Sequence, residues 1–410
     1  MRTLLACLLC TLSCAASAQR VPLPDALLRD AWRALPALQA LRAASTDPRQ
    51  QMQFDQRLAL LHAELGEPYS AQRVMPMGPV VQPIDGAIQV LDEVVPRLLA
   101  QAATRQLVMI NEAHHRPQSR LLTIALLPGL YAAGYRYLAL EALSEADAAA
   151  LNRRGYAVET SGSFVREPVF GELVREALRL GYTLVPYEAQ GAATPVAREA
   201  AQSRQLYDRT FARDPNARVL VHGGYAHVFE ATGMLFDAQP LAMQLHALSG
   251  HDPLTIDQTL AHADPRGRAH PRYAEWLGQC ARPPCLLAAA DGSPLALPRR
   301  MTDWLLLSAD PGAGERPDWL DLGGLRRAVA AAAAELCGAA LPCLLEARSA
   351  DESARAVPVD RCVVRAAGDC PVLWLRAGAD YRLTVRGPDG STVRQLRLRV
   401  AQSTAGGART

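Results

Sequence analysis

The chain has no lysine, and all 43 basic residues among its 410 are arginine. With alanine so abundant, we read this as genomic base composition and not as mechanism. The absence still has chemical force, because it excludes a lysine Schiff base and the phosphate-binding lysine of a P-loop. Net charge is also scarce. Forty-one acidic residues leave a formal charge of +2, so no strong field draws nucleic acid or an anionic surface. Beyond the first residues no segment is apolar for long enough to span a bilayer. Half of the residues are nonetheless hydrophobic, ample for a core.

The N-terminus, "MRTLLACLLCTLSCAASAQR", reads as an export signal. Arg2 is the positive end, Leu4 to Cys14 the apolar stretch, and Ala16-Ser17-Ala18 the small-residue cleavage site. The mature chain would start at Gln19, in the periplasm or outside the cell. Cys14 offers an alternative as a lipid-bearing cysteine, but Thr11 stands where such signals usually carry leucine. Outside the signal the cysteines form three close pairs, Cys280/Cys285, Cys337/Cys343 and Cys362/Cys370. In an oxidising compartment they read as disulfides, with local pairing expected from proximity. A zinc site is disfavoured because none of the spacings is Cys-x-x-Cys.

The expected organisation is a signal at 1–18, a helical segment and linker at 19–83, an α/β domain at 84–345, a small β appendage at 346–402 and a disordered tail at 403–410. Apolar residues at helical spacing cover 24–66. "DGAIQVLDEVVPRLLAQAA" reads as a helix, and strand-like and helical runs then alternate. The four strands expected there are "RQLVMI", "YRYLALEA", "YTLVPYEA" and "ARVLVHGGYAH". Such alternation argues for a mainly parallel sheet with helices on both faces. "PLTIDQTLAHADP" and "RYAEWLGQC" suggest helix and loop, "MTDWLLLSAD" another strand, and "LRRAVAAAAAELCGAALPCLLEA" a helix plus a loop.

Ligands of open α/β sheets bind beyond the carboxyl ends of the strands. Here those ends carry Glu112, His114 and His115, then Glu141, then Glu188, then His222 and His227. A catalytic metal needs two or three such ligands with one position open. Metal-free hydrolysis needs a histidine base oriented by a carboxylate. Pro117 disfavours a helical Arg116, so 112–116 should stay extended, with Glu112 and His114 on one face and His115 on the other. His222 reads equally well as a core histidine. Arg120, Arg198 and Glu199, near helix starts, read first as surface ion pairs. Tyr187 and Tyr225 read as packing residues.

"INEAHHRPQSRLLTIALLPGLYAAGYRYLALEAL", "VPYEA" with "AREAAQSRQL", and "VHGGYAH" resemble the motifs of the erythromycin-esterase-like, haem-binding-uptake (ChaN type) and Tiki/TraB superfamily. Gly224 and His227 fill its second Gly-x-x-His element, and Asn111 stands where that superfamily usually has glycine. The resemblance covers roughly residues 105–230. It implies a fold and a site more firmly than a reaction, since members include metal-dependent proteases, His/Glu esterases and haem binders. The expected activity is therefore that of an exported hydrolase acting on a small-molecule ester or a peptide. Glu112, His114, His115, Glu141 and Glu188 are its candidate catalytic residues. His114, Glu141 and His227 are the candidate ligands of a divalent zinc, manganese or cobalt. The alternative is a non-catalytic haem- or iron-binding protein of the same fold, and a further one is a degenerate fold kept for protein contacts.

Overall fold

Hydrophobic runs of four to six residues, most of them followed by a turn and a helix, build the sheet that dominates the molecule. The computed structural model describes residues 30–76, 84, 86–189, 191–235, 237–293, 295, 301–309, 314–366 and 368–402. The expected signal, Cys14 and the tail 403–410 lie outside the described residues.

Three helices come first: α1 (Ala31–Ala44), α2 (Pro48–Glu64) and α3 (Pro68–Val74). The sheet-forming part follows with β1 (Ile88–Leu91), α4 (Val94–Ala102), β2 (Leu107–Glu112), α5 (Arg120–Ala132), β3 (Tyr137–Leu140), α6 (Glu145–Arg154), α7 (Pro168–Leu180) and β4 (Thr183–Pro186). It continues through α8 (Pro195–Arg209), β5 (Val219–Gly224), α9 (Leu241–Ser249), β6 (Leu254–Asp257), α10 (Tyr273–Gln279), β7 (Cys285–Ala289) and β8 (Trp304–Leu307). The C-terminal part holds β9 (Arg327–Ala330), α11 (Ala333–Cys337), β10 (Cys343–Ser349), β11 (Asp360–Val364), β12 (Val372–Leu375), β13 (Asp380–Arg386) and β14 (Thr392–Arg399).

The eight-stranded sheet has the order β1-β7-β8-β6-β2-β5-β3-β4. The pairings of β8, β6, β2, β5, β3 and β4 are parallel. Only β7 runs against its neighbours. The fold class expected from the sequence is the one found. Strand β2 is buried along its whole length, and its side chains alternate between two cores. Val108 and Ile110 join α4, α5 and α7 on one face, whereas Leu107 and Met109 join α8 and α9 on the other. Strand β5 lies between β2 and β3, and the register sets Glu112 opposite Gly224. This arrangement brings the ends of three strands to one crevice.

Three stretches depart from the expected elements; in the first, "PLTIDQTLAHADP", read as helix and loop, begins with strand β6, which pairs parallel with β2 and β8. "AIQVL", read as the start of a helix, forms β1 because it pairs antiparallel with β7. The alanine-rich stretch after Leu325 forms β9, α11 and β10, with strand pairing overriding helix propensity. The C-terminal strands make a four-stranded antiparallel sheet, β11-β10-β13-β14, and a two-stranded one, β12-β9. Trp32, Leu35, Phe54, Leu58 and Leu61 of α1 and α2 pack on Leu344 and Val363 of that region. The three disulfides are the local ones expected: Cys280–Cys285, Cys337–Cys343 and Cys362–Cys370. Among the described residues no helix is long and apolar enough to cross a membrane.

Candidate active site

Glu112 ends β2 with its carboxylate fully committed. Arg120 donates to both oxygens, from Nε at 2.7 Å and Nη2 at 3.1 Å. His222 Nε2 lies 2.9 Å from Oε2, and His114 Nδ1 2.9 Å from Oε1. Burial alone would raise this carboxyl, but Arg120, His222 and His114 hold it well below the usual carboxylate range. Arg120 is itself buried, and its remaining donors go to Glu167 and the His114 carbonyl. A carboxylate only accepts, so His114 Nδ1 carries the proton toward Glu112 and Nε2 is left for the cleft. Phe164 stacks on the His114 ring at 3.9 Å between centroids, and Tyr225 meets its edge.

Glu141 follows β3 and forms the opposite wall. Its Oε1 accepts from Arg198 Nη2 at 2.6 Å and lies 3.3 Å from His227 Nε2. Its Oε2 accepts from the Gly224 amide at 2.6 Å. Burial works against this charge, but His227, His114 and Arg198 keep Glu141 well below the usual carboxylate range. His227 stands between Glu141 and Glu199, whose Oε1 is 2.8 Å from Nδ1. Burial opposes its charge, yet the two carboxylates push its pKa up to about 10. Glu188, after β4, grips Arg198 from the other side at 2.6 Å and 3.1 Å.

His114 Nε2 and Glu141 Oε2 face each other at 4.0 Å. The two glycines that end β5 make this approach feasible. A Cβ on Gly224 would lie 2.4 Å from His114 Cε1 and 3.0 Å from Glu141 Oε2. One on Gly223 would lie 2.5 Å from the Tyr187 hydroxyl.

Of the residues singled out in the sequence, Glu112, His114, Glu141 and His227 converge, and Glu188 joins them through Arg198. His115 does not: β2 ends at Glu112 and, where an extended 112–116 was expected, residues 114–115 form a turn, closed by the Arg116 amide donating to the Ala113 carbonyl at 2.7 Å, that carries His115 away from the crevice. There it meets the Met75 backbone, its Nε2 has no partner among the described residues, and burial with Arg116 and His114 lowers its pKa to about 3. Arg120, Arg198 and Glu199 are no surface ion pairs but the core and rim of the site. His222, with Thr123 Oγ1 2.8 Å from its Nδ1, belongs to the Glu112 shell. Asn111 braces the site, donating to the Tyr225 carbonyl and to Asp257 and accepting from the Gln258 amide. It thereby anchors Tyr225, whose φ of 48° is left-handed. Phe164 carried no signal in the sequence beyond its position in the loop before α7.

A metal fits His114, Glu141 and His227 poorly. Arg198 already lies on Glu141 and 3.2 Å from His227 Nε2, so a fixed cation stands where the ion's charge would be. The group among the described residues whose ligand atoms do converge is Asp92, Cys280 and Cys285, and its cysteines are joined in a disulfide. A haem is also a poor fit. The cavity above His114 measures about 250 Å3, below the range of drug-sized ligand sites, and Phe164 covers the His114 ring.

No family model and no curated protein matches the chain. Solved structures match it weakly. The type III effector HopBA1 is 16% identical over 55% of this chain and 97% of its own, with a TM-score of 0.30. RRSP, a MARTX toxin effector domain from Vibrio vulnificus CMCP6, is 14% identical over 54% and 53%, at 0.28. A structure described as bacterial protein toxins is 14% identical over 57% and 56%, at 0.32. The chain spans about half the length of the latter two. Likeness at this level says nothing about the chemistry of the chain.

Proposed function

We propose that the protein is an exported hydrolase that works without a metal, cleaving a carboxylic ester or amide with the Glu112–His114 pair and Glu141. The observation that carries this reading is His114 Nε2 facing Glu141 Oε2 at 4.0 Å, while its Nδ1 is held by Glu112. One water can donate to both atoms at ordinary hydrogen-bond lengths, which leaves a lone pair aimed at the substrate. His114 takes a proton as that water attacks the carbonyl carbon. The C–O or C–N bond then breaks, and the same proton passes to the leaving alcohol or amine. Glu112 fixes the ring and stabilises the imidazolium that forms, the part a carboxylate plays in a catalytic triad. Arg198 and the His227 imidazolium offset the charge of Glu141 and of the oxyanion.

The resemblance of the same motifs to the erythromycin-esterase-like superfamily supports the assignment. Three disulfides and the signal-like N-terminus support export. The test is hydrolysis of 4-nitrophenyl butyrate by chelator-treated protein. His114→Ala and Glu141→Gln should each slow it by roughly 10²–10⁴-fold while circular dichroism stays native. A folded Glu141→Gln protein with full activity would overturn the reading.

A further inference from the structure

The C-terminal antiparallel sheet carries a row of charge that the crevice does not use. Its side chains alternate, so one face joins the core through Leu345, Ala347, Leu383 and Val385 and the other is polar. Helices α1 and α2 cover one end of the polar face, at Leu344 and Val363. Toward the other end the register sets Arg348 of β10 opposite Arg382 of β13, and Arg382 opposite Arg397 of β14. Residues opposite one another share a face, so three arginines follow one another across strands about 5 Å apart. Like charges in such positions destabilise a sheet. Only Arg348 has a carboxylate, Glu346, at 3.2 Å and 3.3 Å, and Glu346 also binds Arg361. Arg382 donates to the carbonyls of Ala350, at 2.9 Å, and Glu352, at 2.5 Å, which hold the guanidinium without cancelling its charge. Arg397 makes no side-chain hydrogen bond or ion pair among the described residues.

A cavity of about 430 Å3 opens beside this row, lined by Arg348, Arg382 and Thr384, by Thr392 and Gln395 of β14, and by the start of α1. That volume lies within the range of small-molecule sites. Three of its four acids are already engaged. Asp30 meets Arg386, Glu346 meets Arg348 and Arg361, and Glu64 meets Arg361 and Arg166. Glu159, the fourth, is exposed. The lining therefore joins guanidinium groups to hydroxyl and amide groups that both donate and accept. A chain of phosphates offers acceptors only. A sugar acid uses both kinds, because its carboxylate matches the planar guanidinium fork and its hydroxyls can donate to Gln395 and Glu159. We propose that this end of the sheet binds an acidic oligosaccharide, with one ring in the cavity and the carboxylates of successive sugars on Arg382 and Arg397.

Isothermal titration of the full protein with trigalacturonic acid, and with its methyl ester as a neutral match in size, tests the site. The native protein should bind the acid roughly tenfold more tightly than the ester, or better. Arg382→Gln should weaken binding of the acid by roughly ten- to a hundredfold, the loss expected for a hydrogen-bonded charge. Arg397→Gln breaks no contact within the protein, so its effect is not one of folding. It should weaken binding by roughly two- to fivefold. Neither substitution should alter hydrolysis of 4-nitrophenyl butyrate, which keeps this test apart from that of the hydrolase. Tripolyphosphate is the third probe, and tighter binding of it than of the trisaccharide would overturn the sugar assignment. No binding of the acid, equal affinity for acid and ester, or an affinity unchanged in both variants would overturn the site itself.

Discussion

Glu112 and Glu141 end the two strands that flank β5, and each is met by one arginine and by histidines, yet the two clusters are built differently. The Arg120 side chain on Glu112 is fully buried, whereas the Arg198 side chain on Glu141 is 26% exposed. The first cluster shares its charges with the interior through Glu167, His222 and Thr123. The second passes them outward through Glu188. The same residue types thus serve two ends. Around Glu112 they fix one histidine in place, and around Glu141 they lead to a partly exposed arginine at the edge of the crevice. Both carboxylates are buried; it is the exposure of the arginine that meets each, and not residue identity, that separates the two clusters.

The comparison is broken most severely at the arginines. Arg120→Leu leaves Glu112 and Glu167 buried without their cation and should cost about 3–5 kcal/mol, read by urea unfolding. Arg198→Leu, whose side chain is partly exposed and leaves His227 beside Glu141, should cost clearly less than Arg120→Leu while its rate falls. Equal losses of stability would erase the distinction. Gly224→Ala comes next. Its Cβ would intrude on His114 and Glu141 together, so the ring must shift. A misplacement of that kind lowers the rate on the order of 10²-fold with little change in melting temperature, as paired kinetics and calorimetry would show.

A further effect is one of pH, and two histidines give it opposite signs. His227 is raised to about 10 in the folded protein, so its contribution to stability is complete below its unfolded value near 6.5 and fades as pH rises toward 10. His115 is lowered to about 3, so acid favours unfolding progressively as pH falls from about 6.5 to 3. Stability curves of His227→Gln and His115→Gln should therefore flatten on opposite limbs.

The strand ends were legible in the sequence because an apolar run that stops at an acid or a histidine marks a buried strand emerging at a polar edge. The local repeat of strand and helix also revealed the parallel sheet. Strand order was not legible, since nothing local in "ARVLVHGGYAH" says that β5 slips between β2 and β3. Four-residue strands such as β1 and β6 carry too little period to be told from helix. Arg120 and Arg198 mislead for a related reason. An arginine near a helix start is normally solvated, and only the fold brings Glu112, Glu141, Glu167 and Glu188 around these two. Asn111 stands where a glycine was expected, and its amide ties β2 to Tyr225 and Asp257, a role that only the fold makes visible.

The central claim is that Glu141 and the Glu112–His114 pair activate water with no metal between them. Metal content and 4-nitrophenyl butyrate hydrolysis, both measured on one chelator-dialysed, untagged sample, test it most directly. The account predicts steady turnover at well under one metal ion per chain, unchanged when zinc, manganese or cobalt is added back. Activity that disappears with the metal and returns with it, in step with about one ion per chain, would contradict it.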